Sequence, residues 1–154
     1  MKKSLLVVAN TPSSNTRALA EAVVRGASHP DIESVVVNHV PPLDANENHV
    51  LEADGIILGT TENFGYMSGA LKDFFDRIYY PVLEIKQGTP YALYVRAGLD
   101  GAGTINAVER IVTGLKWRPI CDPLLCHGSF VDSFINQCEE LGMTMAASLD
   151  AGIA

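Results

Sequence analysis

The sequence predicts an α/β protein of three layers, a five-stranded parallel sheet with helices on both faces. Two observations carry this. Apolar runs of strand length lack strict polar alternation, which suits strands covered on both sides, and amphipathic helical patterns recur between them. Such alternation calls for right-handed crossovers in one sheet.

The elements follow in order. Residues 4–9, SLLVVA, read as the first strand, and Leu19, Val23 and Ala27 at i, i+4 spacing mark the helix after it. Val35 to Val37 form the second strand. The segment PPLDANENHVLEAD opens on Pro41–Pro42 and is rich in Asn, which predicts a loop leading into a short helix. Gly55 to Leu58 form the third strand. Leu71, Phe74, Phe75, Ile78 and Val82 then make a wide helical stripe, with Asp73 and Arg77 as an i, i+4 pair suited to solvent on the opposite side. YALYVRA, from Tyr91, is the fourth strand, and Ile105, Val108, Ile111 and Leu115 stripe the next helix. A fifth strand lies within PICDPLLCHG, before a last helix marked by Phe134, Cys138, Leu141 and Met145. A length of 154 residues predicts one domain over residues 1–154.

Composition narrows the function. Apolar residues at 47% exclude a disordered chain. A net charge of −7 argues against nucleic-acid or anionic-membrane binding, which needs a positive footprint. No apolar run approaches the roughly 18 residues of a membrane span, and no signal-like segment opens the chain, so a cytoplasmic protein is expected. Cys121, Cys126 and Cys138 lack CxxC spacing and read as reduced, mostly buried thiols. His29, His39 and His49 show no metal-ligand spacing, so no metal site is expected.

In open α/β sheets ligands bind beyond the carboxyl ends of the strands, at the switch in strand order. Three loops therefore matter. TPSSNT, residues 11–16, follows strand one. A helix starting near Asn15 leaves backbone N–H groups unpaired, an anion site, and the hydroxyls of Thr11, Ser13, Ser14 and Thr16 and the amide of Asn15 add donors. Ser, Thr and Asn also cap helices, but one cap needs one such residue. The loop is not GxxxxGK[ST], which excludes the usual nucleoside triphosphate cradle. The second loop lies in GTTENFGYMSGALKDFFDR, residues 59–77. Phe64 and Tyr66 stand before the helical stripe begins, either available to cover a planar ring or packed under the loop; a stacked aromatic adds about 0.5–1.5 kcal/mol beyond area burial. The third, AGLDGAG at residues 97–103, has three glycines that let backbone approach a ligand closely, without the GxGxxG order.

Other constellations fail. Strands one and three end without the clustered aspartates of a phosphoacceptor, Cys126 and His127 point to opposite faces of a strand, and no GxSxG elbow is present. Trp117 reads as packing.

TPSSNT resembles the TxTGNT phosphate loop of the flavodoxin-like family, with Ser13 and Ser14 in place of the second threonine and the glycine. The second loop is similar to the flavin-ring loop of NAD(P)H-dependent FMN reductases and quinone reductases of that fold across Phe64, Gly65, Met67, Ser68, Gly69, Leu71, Lys72, Asp76 and Arg77, with Thr61 where the pattern has proline. The resemblance implies strand order 2-1-3-4-5 and non-covalent FMN. Thr11, Ser13, Ser14, Asn15 and Thr16 would hold its phosphate, Thr61, Glu62, Asn63, Phe64 and Gly65 would line the ring, and backbone near Ala97 and Gly98 would touch its pyrimidine side. The redox chemistry then belongs to the flavin rather than to a catalytic side chain. An enzyme would take hydride from NADPH or NADH and pass electrons to a quinone, free flavin or other small acceptor. The alternative is a single-electron carrier between protein partners, which an acidic surface suits. Glu62 or Asp100 beside the ring, at about 6 Å and an effective dielectric near 20, would oppose an anionic reduced flavin by about 2.8 kcal/mol. In related reductases a neighbouring subunit often completes the site, so the resemblance also implies a homo-oligomer.

Overall fold

The computed structural model describes residues 1–154. Its elements are β1 (Lys3–Ala9), α1 (Ser14–Ala27), β2 (Val35–Val40), α2 (Glu47–Glu52), β3 (Gly55–Asn63), β4 (Tyr66–Met67), α3 (Gly69–Val82), β5 (Pro90–Ala97), α4 (Ala102–Gly114), β6 (Arg118–Pro119), β7 (Leu124–His127) and α5 (Ser133–Asp150). The main sheet runs β2-β1-β3-β5, with β6 and β7 both paired to the outer edge of β5, all parallel. This is the expected order 2-1-3-4-5, the fifth place being shared by two short strands. Pro119 and Pro123 supply no N–H to a ladder, which accounts for the break between them.

β1, β3 and β5 are covered on both faces, as their continuous apolar runs require. β2 departs from that picture. It extends to Val40 and its burial alternates, because an edge strand meets the core with one face only. Two apolar layers flank the sheet. Leu71, Phe74, Phe75 and Ile78 of α3 pack with Val108 of α4 and Trp117 on one side. Leu19 and Val23 of α1 pack with Phe134, Cys138 and Met145 of α5 on the other. Each fully buried Leu or Phe contributes about 1.5–3 kcal/mol. No helix is long and apolar enough to cross a membrane.

α1 and α5 meet closely. A Cβ placed on Gly142 would lie 2.9 Å from the carbonyl carbon of Val23, and one on Gly26 2.7 Å from that of Glu139. The two glycines notch the seam, and Arg25 pairs with Glu139 at 2.9 Å beside it. On the other face, Arg77 does more than the expected solvent pair with Asp73, which forms at 2.7 Å. Its Nη1 and Nη2 donate to the carbonyls of Ala45 (2.7 Å) and Pro42 (2.8 Å), tying α3 to the loop before α2.

Candidate functional site

At the carboxyl edge, Ala9 of β1 pairs with Gly59 of β3, and the N–H of Asn10 donates to the Gly59 carbonyl at 3.0 Å. The chain leaves β1 toward α1 and β2 on one side while β3 lies on the other, so TPSSNT sits at the switch in strand order. Ser13 is the N-cap of α1. Its Oγ accepts from the N–H of Thr16 at 3.2 Å, and the Thr16 Oγ1 accepts from the N–H of Ser13 at 3.0 Å and donates to the Ser13 carbonyl at 3.0 Å. This reciprocal cap engages two of the hydroxyls that the sequence reading counted as donors and buries Thr16. The first-turn N–H groups of Ser14 and Asn15 keep no partner within the chain, and the Thr11, Ser14 and Asn15 side chains make no hydrogen bond. With no acidic residue in that turn, the end of α1 presents two donors and a positive dipole to an anion.

β3 runs five residues past the expected Leu58 and turns back into β4, pairing Glu62 with Met67 and Asn63 with Tyr66. The two-residue turn between them holds Phe64 at φ 55° and Gly65 at φ 75°, the type I′ geometry of tight hairpins. Glycine adopts this freely; a bulky residue in the left-handed region costs roughly 1–2 kcal/mol. Phe64 is fully exposed at the tip and Tyr66 is 41% exposed, so both stand clear of the core as expected. Thr60 Oγ1 accepts from the N–H of Ser68 at 2.9 Å, Ser68 Oγ caps α3 through the N–H of Leu71, and Thr61 Oγ1 donates to Asn63 Oδ1 at 2.8 Å.

The loop after β5 closes against this hairpin. Glu62 Oε1 accepts from the N–H of Leu99 (3.1 Å) and its Oε2 from the N–H of Gly101 (3.0 Å). Thr104 Oγ1 donates to the Tyr66 carbonyl at 2.9 Å, and a Cβ on Gly103 would run into the Gly65 carbonyl. Asp100 acts as a turn residue, its Oδ1 accepting from the N–H of Ala102 at 3.1 Å. Ala97 is buried, and its carbonyl accepts from Gly128 N–H at 2.9 Å; Gly98 is exposed with open space beside it. The structure thus brings residues 61–65 and 97–101 into one hydrogen-bonded unit, with residues 11–16 on the same edge of the sheet.

Arg96 was missed, although a charge ending the apolar run YALYVRA was its signal. Its guanidinium stacks 5.7 Å from the Phe130 ring and 5.4 Å from that of Phe134, and Nη1 donates to the carbonyls of Ala97 (2.7 Å) and Cys126 (3.0 Å). No carboxylate pairs with it. It braces the ends of β5 and β7 beneath the loop. Cys126 and Cys138 lie buried nearby, while Cys121 is exposed, so the reading of mostly buried thiols holds for two of three. The hydrogen bond to Cys126, together with burial, pushes the Cys138 thiol far up.

Residues 2–122 match the model of the family described as NADPH-dependent FMN reductase. A flavodoxin of Aquifex aeolicus (strain VF5) is 32% identical over 111 residues, 72% of this chain; the match spans 59% of that relative's length. Among solved structures, a flavodoxin from the domain Archaea superposes with a TM-score of 0.81 at 22% identity, covering 95% of this chain and 98% of its own. Megasphaera elsdenii flavodoxin, in its two-electron reduced form, gives 0.76 at 20% identity, covering 93% and 98%. These structural likenesses speak for the fold. With a sheet ordered as the flavodoxin-like fold requires and a family match over most of its length, the chain belongs to the NADPH-dependent FMN reductase family of flavodoxin-like proteins.

Proposed function

We propose that residues 1–154 form one flavin-binding domain and that it is an oxidoreductase, passing reducing equivalents from NADPH or NADH through FMN to a quinone, a free flavin or another small acceptor. The observation that carries this reading is the placing, on one edge of the sheet, of two free N–H groups at Ser14 and Asn15 and a hairpin tip whose Phe64 is fully exposed. Anion donors and an uncommitted aromatic are what a phosphate and a planar ring require of a protein. The family match supports the choice of FMN and of a nicotinamide reductant. When bound, FMN supplies the hydride and electron chemistry.

The chain's own part is binding and orientation. Ser14 and Asn15, with the free hydroxyl of Thr11, hold the phosphate, and Ser13 and Thr16 fix the start of α1. Thr61, Glu62, Asn63, Phe64 and Gly65 form one wall for the ring, and the backbone of Ala97 and Gly98 the other. A second reading, a flavodoxin-type electron carrier, is favoured by the charge of −7, which suits a basic redox partner, and by the Aquifex relative. Anaerobic mixing of the FMN-loaded protein with NADPH or NADH separates them. Rapid loss of flavin absorbance is the result expected of the enzyme. Absorbance that persists with both nicotinamides and disappears only with dithionite rules the enzyme out in favour of the carrier. Protein that leaves FMN fluorescence unquenched ends both readings.

A further inference from the structure

We infer that Glu62 is a positioning residue, which sets the gap between the two walls of the site by filling the loop after β5 with its own carboxylate. The inference rests on the flavin reading above but assigns Glu62 a different task from ring contact. The N–H groups of Leu99 and Gly101 point to one spot, with Gly101 at φ 67°, which is the arrangement of backbone donors that cradles an anion. Here the anion comes from the protein itself, 37 and 39 residues upstream. Gly101 is also the N-cap of α4 and has no side chain to offer. Glu62 takes its N–H from a distance, as the third residue of a capping box does locally, while Asp100 takes the N–H of Ala102. The hairpin carrying Glu62 is fastened to the same helix end a second time, by Thr104 to the Tyr66 carbonyl and by the close approach of Gly103 to Gly65. Phe64 and the 97–98 backbone therefore keep a fixed separation before any ligand arrives.

Both carboxylate oxygens are needed. Glu62→Gln keeps one acceptor and turns an amide donor toward the other N–H, and Glu62→Ala removes both. The ring, not the phosphate, should register the loss, because no hydrogen bond joins Glu62 to residues 11–16.

The test uses the full chain and both variants. In protein without FMN, amide hydrogen exchange at Leu99 and Gly101 should accelerate at least tenfold in Glu62→Ala while β1 and β3 amides are unchanged. FMN should bind about tenfold more weakly to Glu62→Ala and about threefold more weakly to Glu62→Gln, because only the cost of ordering the loop at binding, and not the full strength of the lost hydrogen bonds, enters the affinity. The visible circular dichroism of the bound flavin should change in the same order, a signature that simple loss of stability would not move. Inorganic phosphate should compete with FMN equally well in all three proteins. Unchanged exchange at Leu99 and Gly101, or unchanged FMN affinity and dichroism in a folded Glu62→Ala protein, overturns the inference and leaves the flavin reading standing. Failure of the unsubstituted protein to bind FMN overturns both.

Discussion

Replacing Gly142 by Ala sets two backbone effects against each other. In an exposed helix interior the change stabilises by up to about 1 kcal/mol, because alanine loses less conformational freedom than glycine. In α5, though, the new methyl would lie 2.9 Å from the Val23 carbonyl carbon, closer still to its oxygen, and 3.1 Å from the Ala27 nitrogen. Carbon atoms rest about 3.5–4.0 Å apart, so α1 and α5 must part by at least roughly 0.6 Å. All the obstructing atoms are main chain and cannot swing aside as a side-chain end would. Overpacking of this kind costs about 1–3 kcal/mol. The clash should prevail, with a net loss of about 1–2 kcal/mol and a melting temperature lower by about 2–8 °C for a chain of this length. Gly69→Ala is the internal control, since α3 offers open space at that position; it should leave stability equal or slightly higher. Urea unfolding and calorimetry of the two variants against the parent measure both effects. A Gly142→Ala protein as stable as the parent would refute the reasoning, for it would mean that the helices are free to separate.

Three further outcomes follow from single side chains. The hydroxyl of Tyr94 is buried without a hydrogen-bond partner in the chain, so Tyr94→Phe should raise stability by about 1 kcal/mol in urea titrations near neutral pH. Burial, with smaller contributions from Cys138 and Cys126, holds the Tyr94 hydroxyl well above the ordinary tyrosine value. At this position the unfolded chain therefore ionises first, and the stability contributed by the un-ionised Tyr94, complete below about pH 10, falls as pH rises beyond it. Tyr94→Phe should make that alkaline decline shallower without abolishing it, because burial and Glu109 raise Tyr91 as well. Arg77→Lys loses the fork that reaches Ala45 and Pro42 and should cost about 1–3 kcal/mol, whereas Asp73→Asn, at a surface pair, should change stability by less than about 1 kcal/mol. With a thiol reagent the native protein should show one reacting cysteine, Cys121, and the denatured protein three. Reaction of Cys121 should be slower than that of a free thiol, since partial desolvation and Asp122 push its titration upward.

What the sequence revealed and what it hid divide along physical lines. Strands covered on both faces announce themselves as apolar runs, so β1, β3 and β5 were legible, and Asn46, placed to cap Glu47–Glu52, rewards the expectation of a short α2. β4 was not visible, because two residues carry no periodicity and Phe64–Gly65 lacks the Asn-Gly signature of its turn. In TPSSNT the polar residues were legible as the mark of a helix start. Which of them cap the helix and which stay free depends on Ser13 and Thr16 finding each other across one turn, a matter of geometry rather than composition. The Glu62 clasp on Leu99 and Gly101 joins distant segments and leaves no local trace, so the sequence alone placed Glu62 against a ring. Arg77 was read from its own helix, where Asp73 lies one turn away, although two of its three hydrogen-bonding nitrogens serve a different loop.

Gly59 and Tyr94 sit side by side on β3 and β5, and the phenol lies across the vacant position of the glycine, where any Cβ would run into the ring. The two residues thus divide a single allotment of space between neighbouring strands. Enlarging one is tolerable only if the other shrinks in step, so in diverging descendants of this chain positions 59 and 94 should drift as a couple, not as individuals.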